Sequence, residues 1–284
     1  MATTAMTLRE QIKRDFDLDL PIGSGSASGR DDPLVILASD PHDVALTEML
    51  LLRCFGEVFD KLWRVRARIA MDGPWRNVEQ LKVVTKQLTA TEVITEEVNY
   101  YFDVSALIAG AGAGPHDLRH ALLPGYVDSA TGILFPYEIG WLHLDKGIDN
   151  EPAHPGLGCT ISYSALNITA TVYLYSKNIE RFPDGFDLNF LASEFSAAAS
   201  DVLRFTPDVC SESDRTLAVS KGGIRYLRQD FEIGAQRSIL ALTVASRSYV
   251  KLRATWSAEP LFDEIGDEFI DAVFELALGR ARSH

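Results

Sequence analysis

Trp141, His143, Asp145 and His154 precede Cys159 at short range, and their types are those of a nucleophilic set. A thiol attacks as its thiolate, an imidazole can take the proton, and a carboxylate can orient the imidazole. Alternation along a strand places Trp141, His143 and Asp145 on one face, with His154 in the turn-rich segment 147–158 that leads to Cys159. Such an arrangement would support hydrolysis or acyl transfer. The competing reading is structural, because Cys159 shares parity with Ile161 and Tyr163 and free cysteine is among the most buried residue types. There is no GxSxG elbow for a serine hydrolase. His116 and His120 have i, i+4 spacing, but no glutamate stands between them as in HExxH and no third ligand is evident. Cys54, Cys159 and Cys210 are odd in number and lack CxxC spacing. The residues therefore point to no metal, no cofactor and no disulfide framework.

Binding chemistry has two candidate surfaces. Arg64, Arg66 and Arg68 alternate with Trp63, Val65, Ala67 and Ile69, so one strand face carries three guanidinium groups about 6.6 to 7 Å apart. They could grip an acidic protein partner, or pair across strands with Glu92, Glu96 and Glu97. Trp141, Tyr173 and Tyr175, with Tyr163, form aromatic patches that either pack under a helix or, left open, bind a small apolar ligand or a partner. Gly23, Gly25 and Gly29 precede a strand instead of following one, which excludes a phosphate loop.

The elements that must position these residues follow from composition and periodicity. With 284 residues, 46% hydrophobic and 24% charged, the chain is an ordinary globular one of about two domains. Its net charge of −13 repels nucleic acid and anionic lipid at long range, so neither is an expected partner. No apolar run is long enough to span a membrane and Met1–Phe16 lacks a signal peptide's apolar stretch, so the expected location is cytoplasmic. Residues 1–32 read as a short helix followed by a flexible segment from Pro21 to Asp32. Residues 33–108 read as a small α+β domain: a strand at 33–38, a helix capped by Asp40-Pro41 and buried on most sides, then a three-strand meander. Residues 109–124, with AGAGAGP, read as a linker. Residues 125–284 give strands at 132–137, 139–146, 158–164 and 168–176 and a helix over 187–204. A meander through 256 and a closing helix after Pro260 complete them. Without regular βαβ alternation the class is α+β, each domain a mainly antiparallel sheet covered by helices. Ala170–Tyr175 is an expected exposed edge that would allow a homodimer.

The segment PGLGCTISYSALNITATVYLYS at 155–176 resembles an uncharacterised bacterial domain family over about 125–280. The resemblance includes the helix near Asp187 and the closing YVKLRATW, and the order of elements looks like a PsbP-type α/β/α sandwich. It implies a fold and carries no catalytic residue with it. The leading expectation is a non-catalytic binding or scaffold module. The alternatives are an enzyme using His143, Asp145, His154 and Cys159, and an adaptor docking an acidic partner through Arg64, Arg66 and Arg68.

Overall fold

A computed structural model describes residues 6–111, 118, 125–206 and 208–279, the side chains of 111, 210 and 211 apart. Most of the expected linker, with His116 and His120, lies outside the described residues, as does the side chain of Cys210. The chain divides into two compact units, Met1–Leu123 and Pro124–His284. Both are built on antiparallel-rich sheets with helices packed on them, an α+β architecture. No helix among the described residues is long and apolar enough to cross a membrane.

In the first unit, α1 (Leu8–Phe16) opens on a capping box between Thr7 and Glu10. A four-stranded sheet follows, in the order β1 (Leu34–Val35), β4 (Val93–Asp103), β3 (Val78–Leu88), β2 (Leu62–Ala70), with α3 (Ser105–Ala111) after it. Among the described strands of this sheet only β1 and β4 pair in parallel. The covering helix α2 (Pro41–Phe59) starts at Asp40, whose carboxylate accepts from the amides of His42 and Asp43, with Pro41 in the first turn. Val44, Met49, Leu51, Leu52 and Cys54 are buried, whereas Val58 and Phe59 at its end are exposed.

The segment 21–32, expected as a flexible connector, is laid against the sheet instead. Ile22 bridges Ile36, the carbonyl of the fully buried Ala27 accepts from Tyr101 N, and Gly25 sits at φ +106°. A Cβ there would lie 2.0 Å from the Pro33 carbonyl oxygen, so the glycines serve close backbone approach.

The second unit is a long antiparallel sheet in the order β11 (Val209–Glu212), β13 (Arg225–Ile233), β14 (Gln236–Ala245), β15 (Ser248–Ser257), β10 (Ile168–Tyr175), β9 (Cys159–Ala165), β8 (Leu142–Asp149), β7 (Glu138–Ile139). β12 (Thr216–Val219) continues the β11 edge along β13, and β5 (Tyr126–Val127) and β6 (Leu134–Phe135) form a separate small ladder. Helix α4 (Leu188–Phe205) seats Leu191, Phe195 and Val202 on one face, against Leu227, Phe231, Leu240 and Leu242. Helix α5 (Pro260–Ala277) covers the other, where Phe269 meets Tyr163, Phe274 meets Tyr226, and Trp256 Nε1 donates to Asp263. The strand expected as an open edge, Ala170–Tyr175, is an interior strand paired on both sides by β15 and β9. Its backbone cannot template a second copy, so the homodimer expected through that edge has no free ladder to use.

Candidate functional site

Pairing of β10 with β15 and β9 brings Tyr173 opposite both Lys251 and Thr160, and Thr171 opposite both Arg253 and Ser162. These residues alternate with the buried Val172, Leu252 and Ile161, so they share the face that carries α4. The helix packs over β13 and β14 and leaves Thr160, Ser162, Thr169, Thr171 and Tyr173 partly or fully exposed. At the corner between helix and open strip, the Lys251 ammonium stands 4.4 Å from the Tyr173 ring centre and 5.4 Å from that of Tyr175. Glu194, from α4, accepts from the Tyr175 hydroxyl at 2.7 Å and from Lys177 at 2.5 Å. Arg253 donates to Thr206 at 2.9 Å. Among the described residues no carboxylate lies within ion-pair distance of Lys251. Burial lowers its pKa from the ordinary lysine value; Glu194 and Asp201 oppose that shift, and Lys177 and Arg253 add to it.

Of the aromatic residues expected to bind, Tyr173 alone stays half-exposed; Tyr175 is buried under α4 and Trp141 is buried in the turn before β8. Lys251 and Glu194 were missed by sequence reasoning. Tyr249, Lys251, Arg253 and Thr255 do share one parity, a signal that would have put the cations on the α4 face.

The nucleophilic set is not brought together. Strand register pairs His143 with Ser164 and Asp149 with Cys159, so the imidazole and thiol lie five positions apart along β9, about 17 Å. His143 is buried with Nε2 3.7 Å from Glu138 Oε2, and Asp145 occupies a bulge where its carboxylate accepts from Ser164. His154 is exposed in the turn. That turn is built by Glu151, whose carboxylate accepts from the amides of Gly156 and Gly158. Cys159 is fully buried, and burial first, then the Asp128 carboxylate it bonds, push its thiol up, away from the thiolate. Tyr126, beside it, is pushed up to about 12 chiefly by burial, and its ring rests where a Cβ on Gly147 would collide. Asp128 and Tyr126 are distant in sequence and gave no signal.

The three-arginine face also changes. A bulge between Val65 and Ala67 inserts Arg66 and reverses the parity of β2. Arg64 and Arg66 face outward, Arg66 pairing with Glu97 at 2.7 Å, but Arg68 turns under the sheet. There its Nη1 bonds Glu48 of α2 at 2.6 Å and Glu79 of β3 at 3.1 Å, both carboxyls fully buried. Burial raises both, Glu79 to about 9, with the Glu48 charge as its second cause. Among the described residues Glu48 Oε1 and Glu79 Oε2 have no donor from another group. A proton retained by Glu79 and given to Glu48 satisfies both and leaves the triad neutral. The parity of Glu79 with Leu81 and Val83 was legible in sequence; the bulge that delivers its partner was not.

No model of a known protein family matches the chain, and the curated proteins contain no match to it.

Proposed function

We propose that the protein is a non-catalytic binding module whose contact surface is the hydroxyl-lined strip of the second sheet beside α4. One observation carries this reading: among the described residues Lys251 is held half-buried against two tyrosine rings without a carboxylate partner, beside a strip that no described helix covers. Withdrawing an ammonium from water costs free energy that a structural role would recover through an ion pair. The separation of His143 from Cys159, and the buried thiol, favour binding over acyl transfer. Adaptor docking through Arg64, Arg66 and Arg68 is disfavoured because the three no longer share a face. A fragment library screened by amide NMR of the whole chain tests the reading. Saturable shifts should cluster at Ser162, Thr171, Tyr173 and Lys251; hits confined to other surfaces would refute it.

A further inference from the structure

The recess between α4 and the β11–β13 edge, about 770 Å³, is lined by Ser196, Ser200, Glu212, Asp214, Arg215 and Gln229. Its Gln229 already donates to Glu212, and the Ser196 and Ser200 hydroxyls donate to the carbonyls of Ala192 and Ser196, one helical turn earlier. The corner at Lys251 is different. Besides the ammonium, the hydroxyls of Ser162 and Thr171 face each other across β9 and β10 and make no hydrogen bond to any described residue, and the Tyr173 hydroxyl makes none either. Lys177, Lys251 and Arg253 converge there against Glu194, already neutralised by Lys177, and Asp201. Three cations against two carboxylates leave this corner one positive charge in excess, in a chain of net charge −13.

We infer that this corner binds a small organic anion, its carboxylate or phosphate oxygens taken by the Lys251 ammonium and the Thr171 and Ser162 hydroxyls, and its body laid along the Tyr173 ring. The inference rests on the binding-module reading and adds the ligand's chemistry to it. An oxyanion supplies the ion-pair partner that Lys251 lacks among the described residues and acceptors for two open hydroxyls, while the half-exposed Tyr173 ring gives an apolar platform whose own open hydroxyl adds a further donor. Cross-strand spacing sets Thr171 diagonally about 7 to 8 Å from Lys251, a gap that the long lysine stem spans. An anion at the ammonium opposes the lowering of its proton affinity by burial.

The test titrates the ¹⁵N-labelled full chain with inorganic phosphate, with acetate, and with glucose as a neutral control. Saturable, salt-sensitive shifts at Ser162, Thr171, Tyr173 and Lys251 are expected with one anion or both, and which one responds identifies the phosphate or the carboxylate as the recognised group. Lys251→Met should weaken binding about tenfold, and Lys251→Arg should keep it within about threefold. Thr171→Val, on a partly exposed strand position, should also weaken binding and keeps the test open if Lys251→Met does not fold. Silence of the strip to both anions, or anion binding that Lys251→Met leaves unchanged, overturns the inference. If glucose or a neutral fragment still shifts the strip, the binding-module reading survives that failure; if nothing does, both fall.

Discussion

Arg68 donates from Nη1 to Glu48 Oε2 at 2.6 Å, linking β2 to α2 beneath the first sheet, and the same nitrogen lies 3.1 Å from Glu79. One guanidinium against two buried carboxyls balances only if one carboxyl keeps its proton. Glu79 has its folded pKa raised from 4.5 to about 9, so the folded chain holds a proton that the unfolded chain releases. Its contribution is fully present below the ordinary carboxyl pKa, falls as pH rises through the window from 4.5 to about 9, and levels off above it. In that window the loss is at most about 1.4 kcal/mol per pH unit. Denaturant unfolding of wild type and Glu79→Gln from pH 5 to 9 checks this; the variant should lose most of the difference in slope, since an amide can donate to Glu48 at every pH.

Arg68→Met removes the only cation of the triad. The expected cost is about 3 to 5 kcal/mol at pH 8, where a carboxylate is stranded in the core. At pH 5 the cost should shrink, because a second proton can neutralise the pair. Equal destabilisation at both pH values would contradict the shared-proton arrangement.

Helix caps, the apolar body of α2 and the alternation of β10 and β15 were legible because each follows from local periodicity and side-chain chemistry. What was not legible came from register. The extra residue at Arg66 turned Arg68 inward, a bulge at Asp145 broke the expected Trp141–His143–Asp145 face, and pairing put His143 and Cys159 at opposite ends of β9. A ladder's register depends on partner strands remote in sequence, and a one-residue slip reverses a face. The glycine run at 23–29 reads as loose for a related reason: its use, the close approach of Gly25 to Pro33, depends on a neighbour that composition does not reveal.

Cys54 and Cys159 should resist alkylation in the folded chain. Burial raises Cys54 to about 11 and carries Cys159 higher, so neither offers thiolate near neutral pH. Mass mapping after iodoacetamide treatment at pH 8 should find both unmodified until denaturant is added. Rapid labelling of Cys159 in the native protein would revive the nucleophile.

Gly158 lies at φ +54°, and a Cβ there would sit 1.8 Å from the Leu174 carbonyl oxygen. Gly158→Ala should therefore destabilise the chain by about 2 kcal/mol or more, the combined cost of left-handed backbone and displaced ladder. Thermal melts check this, and a change within about 0.5 kcal/mol would show that the turn before β9 adjusts freely.

The open strip beside α4 is tested most directly by filling it. Thr171→Trp places an indole over Ser162 and Tyr173 at a partly exposed position, where it should leave the melting temperature close to that of wild type. Calorimetric titration of phosphate, or of the tightest fragment found by NMR, should show binding to wild type and none to Thr171→Trp. Undiminished binding to the folded variant would place the ligand elsewhere and contradict the account.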